Sequence, residues 1–224
     1  KMNGKSHFLI SSVCISKNGS MIWNYTDKAK LTMKNFNDPL EIHNQIWSFM
    51  EKGVKDRNSA FHTPTLITLE DDNNAAARTL VLREVNKNSR ILRFHSDQRS
   101  KKIEQVHSNP NALIHVYSQE DKLQLRFKSK LSLHINEVLV DEAWEKSYGM
   151  SKICYQVDES PGSQINIPDG YQFTPEKNHE GKDNFIVIIA KIIETEWLYL
   201  SCDGHRRAKF TYDNEEFKVS WLVP

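Results

Sequence analysis

The most constraining stretch of this chain is the strict alternation from Leu123 to Ile135. Leu123, Leu125, Phe127, Ser129, Leu131, Leu133 and Ile135 stand at every second position, with Gln124, Arg126, Lys128, Lys130 and Ser132 between them. A period of two is that of a strand with one face buried and the other polar, so Gln124 and Arg126 belong to the polar face of a long strand. The protein is therefore expected to be built around antiparallel sheet.

The flanking segments agree. Thr65 to Glu70 and Ala76 to Val85 are β-rich runs separated by Asp71-Asp72-Asn73-Asn74, a turn signal, and Ile91 to His95 follows after the polar turn 86–90. Ala112 to Ser118 and the isoleucine-rich Phe185 to Ile193 add two more strands, and Lys209 to Tyr212 pairs with Phe217 to Trp221 across Asp213-Asn214 as a hairpin. Helices are expected at three places. Asn37-Asp38-Pro39 is a capping start for Ile42, Ile46, Phe49 and Met50, with Gly53 as its stop. Ser100 to His107 is a second, ended by Asn109-Pro110, and Val140 to Tyr148 is a third. Residues 158–178 read as a Pro/Gly/Ser-rich loop. About seven strands without βα alternation give a mainly β (α+β) protein: an antiparallel β-barrel with a few peripheral helices.

Composition narrows the function classes. The chain has 224 residues, with 30 Lys+Arg against 29 Asp+Glu and a formal net charge of +1. Near-neutrality argues against a dedicated nucleic-acid binder, and no apolar run approaches the roughly 20 residues of a membrane-spanning helix. Cys14, Cys154 and Cys202 are far apart and in no CxxC pattern, which signals neither a disulfide framework nor a zinc site and fits a reducing cytoplasm. Phe8 to Ile15 faintly resembles a signal-peptide core, but no small-residue cleavage site accompanies it. Gly19-Ser20-Met21 has the look of a junction, so residues 1–20 are read as a flexible or non-native extension before a single domain over 21–224.

Charge is concentrated where structure would aim it in three places. Arg78 and Arg83 bracket Thr79-Leu80-Val81-Leu82, and their odd spacing puts them on opposite faces unless the strand bends. Surface ion pairs and an anion site are both open readings there. Ser96, Ser100, Lys101 and Lys102 cluster at a helix start, where lysines oppose the helix dipole unless an anion is bound between them. His205-Arg206-Arg207 follows the Asp203-Gly204 turn and reads either as a solvated surface or as part of a site. The histidines have no metal-ligand spacing, and no metal is expected.

In combination, RTLVLR, RFHSDQRSKKIEQVHSNPNA, LQLRFKSKL and HRRAKFTYDNEEFKVSWLVP resemble the pyridoxamine 5'-phosphate oxidase family of split β-barrels that bind flavin mononucleotide (FMN). The similarity runs from about Trp47 to Pro224, and Trp144, Tyr155 and Pro161-Gly162 look more like its oxidase-like branch than the biosynthetic enzyme. The resemblance implies FMN as cofactor, held by Arg78, Thr79, Leu80, Val81, Leu82, Arg83, His95, Ser96, Ser100, Lys101 and Lys102, with Gln124 at the flavin. It implies a homodimer with FMN at the subunit interface, Trp197 and Arg207 coming from the second subunit and Ser163 with Gln164 near the closing loop.

On the substrate side the match departs from the family. Positions that hold pyridoxal phosphate through lysine, tyrosine, arginine and serine correspond to Arg83, Trp144, Tyr148 and Lys152, and the family's catalytic R-x-H becomes Asp203 and His205. The implied reaction is hydride transfer between a small-molecule substrate or electron donor and flavin N5, with His205 as the proton or hydrogen-bond partner and the substrate unassigned. Two alternatives stand beside it: a genuine pyridoxamine/pyridoxine 5'-phosphate oxidase with a rebuilt phosphate grip, and a non-enzymatic flavin carrier or sensor. No Gly-rich dinucleotide motif is seen, so a nicotinamide donor would dock transiently over the flavin.

Overall fold

A computed structural model describes residues 36–168, 181–214 and 216–224. The expected 1–20 extension lies outside the described residues, as does the end of the expected 158–178 loop.

The first helix, α1 (Pro39–Lys55), starts where expected: the Asp38 carboxylate accepts from the Leu40 and Glu41 amides, and Pro39 needs no acceptor. Gly53 is not its stop. The helix runs on for two residues, and a Cβ on Gly53 would lie 2.5 Å from the Phe61 carbonyl oxygen, so this glycine permits a close approach of helix to chain.

Strands β1 (Thr65–Leu69), β2 (Ala75–Thr79), β3 (Leu82–Asn86) and β4 (Ile91–Asp97) follow, then α2 (Lys101–Ser108), β5 (Asn111–Ser118) and β6 (Leu123–His134). After β6 come α3 (Val138–Glu145), α4 (Gly149–Ile153), β7 (Phe185–Tyr199), β8 (Arg206–Asp213) and β9 (Glu216–Leu222). The expected 76–85 strand is thus two strands, interrupted where the Leu80 amide turns to the Pro64 carbonyl. The expected 140–148 helix begins two residues earlier and ends at Glu145 as α3, and the separate short α4 follows from Gly149.

All pairings are antiparallel, along the path β2-β1-β5-β6-β7-β4-β3, with β8 on β7 and β9 on β8. The 15-residue β7 is the shared stave. Its first half pairs with β4 and its second with β8, while β6 runs along its other edge. Among the described residues this path does not close into a ring, which gives the split form of an antiparallel barrel.

One apolar core fills the inside, from Ile46, Trp47 and Met50 of α1 through Leu66, Phe94, Ile114, Phe127 and Phe210. Burying each of these large side chains is worth about 1.5–3 kcal/mol. A second, smaller core lies on the other face of β7, where Val140, Ala143, Trp144 and Tyr155 cover Phe185 and Val187. This explains the unbroken apolar run at the start of β7: both of its faces are covered there.

Candidate cofactor site

The site is set by β4 and the turn into α2. Alternation along β4 sends Ser96 to the main-core side with Leu92 and Phe94, and His95 to the opposite side against Phe185. Ser100 opens α2 without capping it. Its hydroxyl donates to the Asp97 carbonyl at 2.7 Å and accepts from Lys102 Nζ at 2.7 Å, and Lys102 also donates to Ser96 Oγ at 3.0 Å. The first amides of α2 are thereby left without a side-chain cap.

Arg78, on the edge strand β2, reaches the same region. Its guanidinium donates to Thr68 Oγ1 at 2.5 Å and to Gln105 Oε1 at 2.8 Å, and Thr68 also donates to that amide oxygen at 2.6 Å. Gln105 in turn donates to Glu70. Burial, followed by the charge of Arg78, holds the Lys102 ammonium below its usual range, while Asp97 pulls the other way. Arg78 is itself lowered by burial, opposed by Glu70. Two partly desolvated cations, two hydroxyls and the uncapped amides of a helix start fit the phosphate of a mononucleotide, since an added anion would relieve both the desolvation and the mutual repulsion.

The other candidate residues divide around this cradle. Thr79 ends β2, Leu80 and Val81 form the break, and Leu82 is buried in the main core, so these four offer backbone more than side chain. Lys101 is exposed. Arg83 sits at a β-bulge between Leu82 and Glu84 and turns away from Arg78 toward His95 and Tyr155, which its charge reaches. Its Nε is buried with no hydrogen-bond partner among the described residues, and the same holds for His95 Nε2. Burial, then Arg83 and Arg93, push His95 down to about 3, so it is neutral at ordinary pH.

Lys152 and Trp144 belong to this second side. Lys152 Nζ lies 5.0 Å from the Trp144 ring centroid, and that ring is 1% exposed between Tyr155 and Phe185. Trp144, expected as a substrate contact, is thus a core side chain that supports Lys152. Tyr148 is 76% exposed at the start of α4, and Ser163 and Gln164 are exposed beyond it.

Gln124 lies on the outer face of β6 opposite Leu198, and Arg207 flanks Leu198 from β8. Arg207 is gripped by Glu196 Oε1 at 3.0 and 2.6 Å, and Arg126 takes Oε2 at 3.0 Å. Trp197 does not share that face. The even-numbered Ile186 to Ile192 point into the main core, but the register of β6 with β7 slips between Lys128 and Ser129, skipping Ile193, so Thr195 and Trp197 point inward instead. Trp197 is fully buried, stacked on Tyr199. His205 is exposed in the β7–β8 turn, where its Nδ1 accepts from the Ser201 amide at 3.0 Å.

Sequence reasoning missed Thr68, Gln105, Asp97 and Arg99. The side chains of Thr68 and Gln105 hold Arg78, whereas the buried Asp97 pairs with the half-buried Arg99 next to the cradle. Only the S-D-Q-R-S spacing around the helix start hinted at the pair.

A family model described as pyridoxamine 5'-phosphate oxidase, FMN-binding domain, matches residues 44–135. Over that stretch the chain is similar to a pyridoxamine 5'-phosphate oxidase FMN-binding domain. The match takes in the cradle and Gln124 and stops before Trp144, Tyr148, Lys152, Ser163, Gln164, Trp197, His205 and Arg207.

Solved structures agree on the fold. A pyridoxamine 5'-phosphate oxidase-related, FMN binding protein from Nostoc punctiforme PCC 73102 superposes with a TM-score of 0.67 at 21% identity, over 81% of this chain and 96% of that one. PhzG from Burkholderia lata 383, in complex with tetrahydrophenazine-1-carboxylic acid, gives 0.65 at 15% identity, over 87% and 98%. A nucleoside triphosphate pyrophosphatase of Pelagibacter ubique (strain HTCC1062) is 64% identical over 54 residues, 24% of this chain and 27% of that protein. The chain thus spans about a quarter of the length of that relative. Among the described residues no helix is long and apolar enough to cross a membrane.

Proposed function

We propose that this protein binds FMN and works as a cytoplasmic, homodimeric oxidoreductase on a small-molecule substrate. The observation that carries the reading is the desolvated pair Arg78 and Lys102 gathered with Ser96 and Ser100 at the start of α2. In this reading Arg78, Lys102 and the two serines hold the phosphate, and the backbone of 79–82 lines the ribityl chain. Gln124 and Arg207, two strands apart on the outer face of the sheet, meet the ring at the subunit interface. FMN, when bound, supplies a ring that accepts a hydride at N5 and passes the electrons to oxygen or another acceptor.

The protein's own part is placement and charge. Arg83 and Lys152 form the electropositive wall on the second side of β4, suited to a substrate anion, with Tyr148 exposed at its rim. His205 is the proton partner, because it is exposed and its Nδ1 already accepts a main-chain proton, which leaves Nε2–H as the donor.

The test is the visible absorption spectrum of the purified protein, with any cofactor released by heat and identified by chromatography. Bound FMN that bleaches with a reduced nicotinamide or an amine donor is the expected result. A colourless protein that takes up no added FMN overturns the reading. FMN binding without turnover leaves a carrier, and oxygen reduced to hydrogen peroxide as pyridoxine 5'-phosphate is oxidised would make it the biosynthetic oxidase.

A further inference from the structure

The turn between β4 and α2 contains an ion pair that the cofactor reading does not use. Asp97 is 6% exposed, and its carboxylate is taken bidentately by Arg99, with Nε to Oδ1 at 3.0 Å and Nη2 to Oδ2 at 2.8 Å; the Arg99 amide adds a third bond to Oδ1 at 2.8 Å. The rest of the guanidinium points across the molecule. Nη1 donates to the Asp158 carbonyl at 3.0 Å and Nη2 to the Val157 carbonyl at 2.9 Å. Two further ties join the same parts: the Gln98 amide to the Asn184 carbonyl at 2.8 Å, and the Asn184 side chain to the Tyr155 carbonyl at 2.9 Å. Toward the cradle, the Asp97 carbonyl accepts from Ser100, which accepts from Lys102.

Asp97 is therefore a carboxylate beside a site that suits an anion. Left bare, its charge would oppose a phosphate there. Arg99 neutralises it and spends its remaining donors on the segment that leads from α4 toward Ser163 and Gln164.

We propose that Arg99 is a positioning residue with two linked roles: it screens Asp97 from the cofactor phosphate, and it clips segment 155–158 to the cradle so that cofactor binding orders that segment. The proposal rests on the FMN reading above.

The test measures FMN affinity by fluorescence quenching and amide hydrogen exchange over 155–158, with and without FMN. The proteins are wild type, Arg99→Ala, Arg99→Gln, and Arg99→Ala combined with Asp97→Asn. Arg99→Ala is expected to weaken FMN about tenfold or more, the scale of charge-assisted contacts, and to abolish the protection that FMN gives the segment. Adding Asp97→Asn should return affinity to within about threefold of wild type, since the exposed carboxylate is gone, while the segment stays unprotected. A merely structural Arg99 would give no such split rescue. Arg99→Gln keeps donors for the carbonyls, and should hold the segment better than alanine while binding FMN as weakly, which also covers a poorly folding alanine variant.

FMN affinity unchanged in Arg99→Ala overturns the screening role, and no protection of 155–158 by FMN in wild type overturns the clip. A wild type that takes up no FMN overturns the cofactor reading and the coupling together, a result distinct from either.

Discussion

Two clusters of cations in this protein are treated in opposite ways. On the outer face of β6, β7 and β8, Arg126 and Arg207 share Glu196, while Lys128 and Lys209 share Glu194. Every cation of that ladder has a carboxylate within the fold. In the cradle, Arg78 and Lys102 are held by hydroxyls and an amide oxygen, and Glu70 and Asp97 act on them from a distance. Of these carboxylates, Asp97 is committed to Arg99. A ladder of matched charges completes a surface; cations gathered without an anion prepare a place for one.

Removing charge from each cluster separates the two most sharply. Arg78→Ala with Lys102→Ala should lower FMN affinity by about a thousandfold, since two charge-assisted contacts are each worth roughly 1.5–3 kcal/mol. The thermal midpoint without FMN should hold or rise, because two desolvated like charges are gone. Arg126→Ala with Lys128→Ala should leave FMN affinity within about threefold. Equal losses from the two pairs, measured by FMN titration, would end the distinction.

Acid acts next, and at His43 before His95. His95 shares β4 with Ser96 and stays neutral because of burial and the charges of Arg83 and Arg93; His43, on the buried face of α1, is lowered to about 4 by burial, Lys87 and Arg90, and accepts from Trp47 Nε1 at 3.0 Å. Both folded values lie below the ordinary 6.5, so the unfolded chain binds protons that the folded one refuses. Stability is full above pH 6.5 and falls as pH drops from there to about 4 for His43 and about 3 for His95. His43 alone contributes on the order of 3 kcal/mol to that fall. Urea denaturation from pH 7 to 4 should show this slope, shallower in His43→Phe. Hydrogen exchange should quicken first in α1, β8 and β9, where the His43 ring stacks on Phe217 and meets Phe210 and Tyr212, and in β4 only at lower pH; β4 opening first would place the weak point at His95 instead.

What could be read from sequence follows from which interactions are local. β6 was legible because one buried face writes itself into every second residue, and the start of α1 because Asp38 caps amides two and three residues ahead. The split of 76–85, the bulge at Arg83 and the inward turn of Trp197 depend on partners far along the chain: Pro64, β4 and the skipped Ile193 opposite β6. Counting by twos from Ile186 puts Trp197 on the same face as Arg207, and one extra residue reverses it. In the candidate site, Ser96, Ser100 and Lys102 were legible as a helix start, whereas Thr68 and Gln105 contact Arg78 only because β1 and α2 pack together.

Within the ladder, burial ranks the remaining effects. Glu196 is 8% exposed, and Glu196→Gln leaves Arg126 and Arg207 facing an uncharged amide; their own exposure lets water make good part of the loss, so we expect about 1–2 kcal/mol of destabilisation. Freed from Glu196, Arg207 also loses its fixed place beside Leu198, so FMN affinity should fall a few fold if that arginine meets the flavin.

The smallest effect belongs to Lys128→Ala. Its side chain is 64% exposed, and Glu194 keeps Lys209 as a partner at 3.8 Å, so chemical denaturation should shift by under about 0.5 kcal/mol and FMN affinity should not move. A cost near that of Glu196→Gln would mean that the matched charges act as one network rather than as separate pairs, and the contrast with the cradle would then be one of cooperation as well as of neutrality.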